Sequence, residues 1–451
     1  MPKVALHTLG CKLNFAETAT IARQFEQKGF EVVEADAQAD VCVINTCSVT
    51  ERADRECRQI VRRALRHSPE AYVIVVGCYA QLQPGEIAAI PGVDLVLGTK
   101  EKFDIFQHAD GFHKLSCAQS FVSPVEEIDT FAGASSTGSN ERTRAFIKVQ
   151  DGCDYSCSFC TIPMARGASR STDIHAIVGQ AEAAVANGYQ EIVLTGVNVG
   201  DYGRKFGSSL LSLLKELSLV RDLQRIRISS VEPNLLTDDL LAFWADNPKL
   251  CKHFHLPLQA GNDAVLHSMR RRYLTGLYAD RVENIRKLLP DAGIGADLIT
   301  GFPGETNESY DATYRFLVDL PISYLHVFTY SPRPNTSAAE MPRQIEPRIR
   351  FERSERLRIL SSRKRHEFQE RFVGSTRDVL VEDRTENGCW TGLTGEYVRV
   401  NFPSAEHLGN CIVTVRISRL EGEHCIGEAI DTSSSPIHHL STTSGEVSLC
   451  A

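Results

Sequence analysis

The sequence predicts an α/β protein in three parts: an N-terminal parallel α/β domain, an incomplete TIM-like (βα)6 barrel, and a small C-terminal all-β barrel. Three observations carry this prediction. Short apolar runs alternate with helical stretches over residues 1–115, six further strand-like runs are spaced by helical segments up to about Ser337, and short strands and turns take over after Gly374.

In the first part, "KVALHTLG", "VCVINTCS", "YVIVVGCYA" and "VDLVLGT" read as strands, with "NFAETATIARQFEQKGF" and "TERADRECRQIVRRALRHSP" as helices between them. Strands that alternate with helices pair in parallel. Residues 116–140 are rich in Ser, Gly and Thr without periodicity and are expected to be a linker. The second part, residues 141–372, holds six strand candidates: "RAFIKVQDG", "EIVLTGVNVG", "RIRISSVEP", "HFHLPLQAG", "GIGADLITG" and "YLHVFTYSP". Of the helices between them, "TDIHAIVGQAEAAVANG" is expected to be capped by Thr172 and ended by Asn187-Gly188. Six βα units fit an incomplete barrel, with chemistry at the carboxyl ends of its strands. This part closes with a basic helical connector, nine Lys or Arg against four Glu between Arg348 and Phe372, which is either a solvated helix or part of a nucleic-acid surface. Residues 373–432 read as a compact OB-like β-barrel, and residues 433–451 as a disordered tail.

Composition is that of an ordinary globular chain, 42% hydrophobic and 24% charged. No apolar run approaches the roughly 18 residues a membrane helix needs, and "MPKVALHTLGC" lacks a signal-like apolar segment, so a cytoplasmic protein without membrane contact is expected. There, 14 cysteines are metal or redox candidates, since thiols are kept reduced. A net charge of -8 means that any nucleic-acid contact comes from a local basic surface.

"DGCDYSCSFCTIPMARG" places Cys153, Cys157 and Cys160 directly after the first barrel strand with no fourth ligand nearby. A zinc site would need a distant histidine to complete its tetrahedron. Three thiolates instead suit three irons of a 4Fe-4S cube, leaving the fourth iron open. A second trio, Cys11 in "TLGC", Cys47 in "INTC" and Cys78 in "VVGC", ends three apolar strands, and the ends of neighbouring parallel strands converge on one crevice. This placement favours a second cluster, whereas Cys42 within "VCVIN" reads as a small buried hydrophobe. Cys57, Cys117, Cys251, Cys389, Cys411, Cys425 and Cys450 show no comparable spacing.

The CxxxCxxC motif resembles the radical S-adenosylmethionine superfamily, and both trios with the barrel and the β-module resemble its methylthiotransferase family over nearly the whole chain. The resemblance implies two 4Fe-4S clusters, the radical-generating one on Cys153, Cys157 and Cys160 and an auxiliary one on Cys11, Cys47 and Cys78. It also implies S-adenosylmethionine, cradled at strand ends for which Gly196, Asn198, Glu232, Asp297 and Gly301 are candidates, each equally able to serve a cap or loop. The C-terminal barrel corresponds to the family's TRAM domain, and the implied partners are a tRNA anticodon stem-loop, an electron donor and a sulfur source.

Lys12 after Cys11 resembles the branch acting on N6-threonylcarbamoyladenosine next to the anticodon; the isopentenyladenosine branch has Gln there and the ribosomal-protein branch Pro. The implied reaction is methylthiolation of adenine C2, with Lys12 and Arg166 as candidates to hold the anionic substituent. The basic connector, Arg270–Arg272 and the β-module are the candidate RNA surface, unless the three arginines pair internally. A non-enzymatic, metal-stabilised RNA-binding protein is the alternative of a different class.

Overall fold

The computed structural model describes residues 1–48, 51–137, 143–385 and 387–431, so the predicted tail, Cys450 and the last residues of the predicted linker lie outside the described residues. Six parallel strands form the first sheet: β1 (Lys3–Thr8), β2 (Glu31–Val33), β3 (Val41–Thr46), β4 (Tyr72–Gly77), β5 (Leu95–Leu97) and β6 (Gln119–Phe121), in the order β2-β1-β3-β4-β5-β6. β3 and β4 are buried at every residue, as continuous apolar runs covered on both faces must be. Cys42, Ile44, Val73 and Val75 pack to one side, and Val41, Val43, Ile74 and Val76 to the other. β6 corrects the linker expectation: Gln119–Phe121 pairs with Leu95–Leu97 and completes the sheet edge, because backbone pairing there needs no apolar periodicity.

The six expected barrel strands are all present as β7 (Arg144–Lys148), β10 (Glu191–Thr195), β11 (Arg225–Ile228), β12 (His253–Gln259), β13 (Gly293–Thr300) and β14 (Tyr324–Thr329). Between β7 and β10, a short hairpin pairs β8 (Gln150–Asp151) with β9 (Arg170–Ser171). The parallel sets β7-β10-β11 and β12-β13-β14 meet through the Ile226–Leu250 bridge. The arc stays open, an incomplete TIM-like barrel. Outward positions such as Ile192, Leu194, Ile226, Phe254, Leu256 and Ile294 form the main core with the surrounding helices. The alternate, lumenal positions are largely polar, with Glu191, Arg227, His253, His255, Asp297 and His326 among them. Helix Ile174–Ala186 is capped by Asp173, which accepts from Ala176 N, one residue later than the Thr172 expected. Thr172 instead offers its carbonyl to Tyr202.

Both ends of the barrel are covered. Over the carboxyl end sits the first domain, where Arg333 donates to Ser48 and Asp54, and Thr99 donates to the Ala165 carbonyl. At the amino end, β15 (Thr376–Arg384), β16 (Trp390–Thr394), β17 (Arg399–Phe402), β18 (Ile412–Glu421) and β19 (His424–Asp431) close the small barrel in the order β15-β16-β17-β19-β18. Arg225 and Arg227 donate to the carbonyls of Leu393, Asp378 and Thr394, and Tyr397 stacks on His253 at 4.4 Å. A side chain at Gly293 would meet the Glu396 carbonyl at 2.2 Å, so the β-module is seated against the barrel floor.

The basic connector folds as helix Pro347–Glu370 along β13 and β14, and part of its charge is spent inside the protein. Arg350, Arg353 and Lys364 are buried, with Arg353 paired to Glu305, while the exposed Arg348, Arg358 and Arg363 pair with glutamates on the same helix. One face of the connector is therefore packed on the barrel and the other is solvated.

Candidate functional site: two cysteine trios between a sheet and a barrel

Cys11, Cys47 and Cys78 follow β1, β3 and β4, which are adjacent in the sheet. The register pairs Thr46 with Gly77, so Cys47 and Cys78 leave neighbouring strands side by side. Gly10, at φ +97°, lies so close that a Cβ there would stand 2.6 Å from Cys47 Cβ. Asn14 knits the loops together by donating to the carbonyls of Leu9 and Thr46, and Thr46 Oγ1 donates to Val76 O. Cys47 and Cys78 are buried and Cys11 is exposed.

Cys153, Cys157 and Cys160 lie on the loop after the β8 strand. Gly152 starts it at φ +69°, where a Cβ would meet Ala168 O at 2.1 Å, and Cys153 N donates to Gly167 O at 3.0 Å. Ser158 ties the loop to the carbonyls of Met269 and Ser268. Three donors address the sulfurs: Tyr155 N to Cys153 at 3.4 Å, Ile162 N to Cys160 at 3.4 Å, and Arg271 Nη1 to Cys157 at 3.2 Å. Burial pushes the Cys153 thiol up to about 11 and Cys160 up to about 12, so a bound cation is what would hold them as thiolates. Substituting Gly152 with alanine is expected to distort this loop enough to prevent cluster loading, read as loss of iron and of visible absorbance after reconstitution.

The donor set fits an iron-sulfur cube better than a single ion. Tetrahedral zinc would draw sulfurs to about 3.8 Å of one another. Among the described residues, the three side chains whose ligand atoms lie within 4.8 Å are His255, Asp297 and His326, and neither cysteine trio is so compact. Cys153, Cys157 and Cys160 also border a cavity of about 520 Å³ whose walls include Asn335, Thr336 and Ser337, within the range that holds a cofactor-sized molecule.

The two trios are brought together by their neighbours. Thr161, next to Cys160, lies 3.5 Å from the carbonyl of Ser48, next to Cys47. Arg166 donates to Asn14, Glu17 and Asp151. Its guanidinium therefore sits between the trios and acts electrostatically on Cys11 and Cys78.

This corrects Arg166 as a substrate ligand. It is buried, and its charge is committed to two carboxylates, which residue spacing could not reveal. Lys12 is partly buried, has no ion pair among the described residues, and acts on Tyr397 and His253 within the lumen. It reaches there because helix Lys12–Gln27 packs on the inner face of β7 and β10 through Phe15, Ala16, Phe146 and Val193.

The five cofactor candidates also divide. Glu232 pairs with Arg271, the residue that donates to Cys157, and so belongs beside the Cys153, Cys157 and Cys160 loop. Asn198 receives its place from Gln150, which accepts from its backbone, and its buried Oδ1 has no partner among the described residues. Gly196 permits the close passage of Gln150, whose carbonyl would stand 2.8 Å from a Cβ. Gly301, at φ +72°, leaves room for Arg350 rather than for a cofactor. Asp297 is turned into the lumen between His255 and His326.

Of Arg270–Arg272, Arg271 pairs with Glu232 and serves the cysteine loop, whereas Arg270, which lines the cavity, and Arg272, which stacks on Tyr155 at 3.8 Å, are exposed and have no ion pair among the described residues. Sequence reasoning missed Asn14, Glu17, His255 and His326. For His255 a signal was present, the alternation His-Phe-His-Leu in β12, which marks a strand with one polar face.

Comparison with known proteins agrees with this architecture. Residues 3–98 match the uncharacterized protein family UPF0004, residues 147–317 the radical SAM superfamily, and residues 370–430 the TRAM domain. A threonylcarbamoyladenosine tRNA methylthiotransferase of Bacillus subtilis is 39% identical over 92% of this chain and 94% of its own length. The Aquifex aeolicus protein of the same name is 37% identical over 91% and 99%. A tRNA-2-methylthio-N(6)-dimethylallyladenosine synthase of Wolinella succinogenes is 33% identical over 95% and 99%. In fold, the chain resembles the radical S-adenosylmethionine methyltransferase TsrM of Kitasatospora setae, with a TM-score of 0.55, 16% identity and 75% of each chain covered. With relatives this similar along almost its full length, and with a cysteine-bearing sheet, a barrel and a TRAM module in their order, the chain belongs to the radical S-adenosylmethionine tRNA methylthiotransferase family.

Proposed function

We infer that the chain methylthiolates C2 of N6-threonylcarbamoyladenosine in tRNA by radical S-adenosylmethionine chemistry. The observation that carries this reading is the contact between the loops of two cysteine trios, Thr161 against Ser48, at the shared carboxyl ends of a sheet and a barrel. A radical generator and a sulfur carrier must both reach one carbon, and that contact supports their proximity. The branch follows from relatives named for threonylcarbamoyladenosine at 34–39% identity.

Cys153, Cys157 and Cys160 would hold the 4Fe-4S cluster and Cys11, Cys47 and Cys78 a second one. When bound, the first supplies the electron that cleaves S-adenosylmethionine to a 5'-deoxyadenosyl radical. The chain's own residues orient and enclose. Arg271 fixes Cys157 and is itself held by Glu232, and Asn198 Oδ1 is a buried acceptor suited to a cofactor donor. The first domain over the barrel mouth excludes water, which protects a reactive radical. Lys12 supplies a lumenal positive charge for the substituent's carboxylate.

The tRNA partner would present the adenine from its anticodon loop, whose unpaired bases can be splayed into a cavity. Exposed Arg62 and Arg66 on helix Glu51–His67 and Arg416 on the β-module offer phosphate contacts. An electron donor and a sulfur source complete the reaction. No helix among the described residues is long and apolar enough to cross a membrane.

The test offers the anaerobically reconstituted enzyme tRNAs bearing threonylcarbamoyladenosine or isopentenyladenosine and measures methylthio nucleoside by mass. Preference for the first is expected. Preference for the second would reject the branch while leaving the chemistry.

A further inference from the structure

A polar cluster inside the barrel has no part in holding either cysteine trio. His255, Asp297 and His326 project from the adjacent strands β12, β13 and β14. His255 Nε2 lies 2.8 Å and His326 Nδ1 3.3 Å from the same oxygen, Asp297 Oδ1. Asp297 also lines a cavity of about 250 Å³ that reaches Cys160 of the radical trio and is walled by Phe159, Ile299, Phe328 and Tyr330. Phe328 is 46% exposed and the His326 side chain 45% exposed, although both belong to a barrel strand. β14 is the edge of the open arc, so these side chains face an entrance.

We propose that His255, Asp297 and His326 recognise the oxygen-rich, anionic N6 substituent of the target adenine, with Phe328 as the stacking face for its ring. This rests on the threonylcarbamoyladenosine reading and names the residues that would enforce it. The cavity has the required division. Its aromatic and aliphatic walls suit a base, since every base presents a π-face to stack. Its polar end is lined by Asp297 and Gln259, with the two imidazoles on the Asp297 carboxylate behind it, a set of donors and acceptors that matches a substituent carrying carboxylate, carbonyl and hydroxyl groups and offers an isopentenyl group only unpaired polar atoms. Such a site rejects the analogue that lacks the hydrogen-bonding groups more strongly than an apolar pocket rejects an added one.

The same three side chains have the composition of a metal site, and two observations favour the organic ligand. Both imidazoles address one carboxylate oxygen, an arrangement of hydrogen bonds to Asp297 rather than of three lone pairs aimed at a common point. Lys12, which has no ion pair among the described residues, acts together with the Glu191-paired Arg227 on the intervening His253 imidazole, and its charge favours an anion over a metal ion. Asp297 is kept as an acceptor for the hydroxyl or amide hydrogens of the substituent, since burial opposes its ionisation yet the hydrogen bonds and charges of His255 and His326 hold its carboxyl well below the usual range.

The experiment compares full-length reconstituted wild type with His326→Phe and Asp297→Asn. Binding of anticodon stem-loop RNAs carrying threonylcarbamoyladenosine or isopentenyladenosine is measured by fluorescence anisotropy, alongside metal content. Wild type is expected to prefer the threonylcarbamoyl RNA, and each variant to lose roughly 10- to 100-fold of that preference, the range for hydrogen bonds to a charged group. His326→Phe keeps an aromatic at a half-exposed position, so a folded protein is expected, and thermal melting verifies it. Wild-type preference for threonylcarbamoyl RNA that both variants retain would overturn this inference alone. Wild-type preference for isopentenyl RNA would overturn it together with the substrate reading. A divalent metal beyond the cluster iron that is lost in His326→Phe would overturn it in favour of a metal site.

Discussion

Cys157→Ala is expected to abolish reductive cleavage of S-adenosylmethionine, whereas Cys47→Ala is expected to keep 5'-deoxyadenosine formation measurable and stop methylthiolation. The asymmetry follows from where each sulfur sits. Cys157 is on the barrel loop, and Arg271 and Glu232 are arranged around it. Cys47 leaves the sheet beside Gly10 and Cys78, on the other side of the Thr161–Ser48 contact. Alanine removes only a sulfur, so the first domain should still fold in Cys47→Ala and the barrel loop should keep its iron. Methylthiolation is expected to fall by more than about 100-fold, because even losing a group that merely orients a metal ligand costs roughly 10- to 100-fold. Deoxyadenosine by chromatography, methylthio nucleoside by mass and iron content form the readout. A Cys47→Ala enzyme that methylthiolates at the wild-type rate would remove the second cluster from the scheme.

The other large effect, on stability, is expected from Glu17→Gln, since the Glu17 carboxylate holds Arg166 between the two trios. Glu17 is fully buried and accepts from Lys102 at 2.6 Å, Lys148 at 3.0 Å and Arg166 at 2.9 Å. Asp151 answers Lys148, Arg166 and Arg170 from the barrel side. Four cations thus share two carboxylates across the junction of the two domains. Removing one carboxylate's charge leaves buried cations uncompensated, which costs roughly 3–5 kcal/mol for a broken buried pair. A lowered denaturation midpoint checks it.

The pH dependence has a definite sign. Burial would raise the Glu17 carboxyl, but Arg166, then Lys102 and Lys148, hold it well below the usual range. A depressed folded value means that the stabilisation is present above the unfolded value of about 4.3 and is lost as pH falls through the folded one. The deficit of Glu17→Gln is therefore expected to be full at neutral pH and to shrink below about pH 4. A constant deficit down to strongly acid pH would show that Glu17 acts through packing instead.

The sequence by itself determined the architecture and the chemistry. Six apolar runs announced the barrel strands because burial imposes hydrophobicity locally, whatever lies opposite. The CxxxCxxC motif was legible because its three sulfurs lie on one loop, and Cys11, Cys47 and Cys78 because each ends an apolar run. Tertiary structure alone decided what the charged and polar residues do. Arg166 looked like a substrate ligand until Glu17 and Asp151 were seen to hold it, and those partners lie 149 and 15 residues away. Gly301 looked like a cofactor contact until Arg350 filled the space beside it. The basic connector could be a solvated helix or an RNA surface until Arg353 was seen paired with Glu305 and Arg350 and Lys364 bonded to backbone carbonyls, with Arg348 and Arg358 paired to glutamates of the same helix. Hydrophobic burial acts on each residue's own surface, so it leaves a local pattern. A buried charge is tolerated only with a partner, and which residue becomes that partner is settled when distant strands and helices meet.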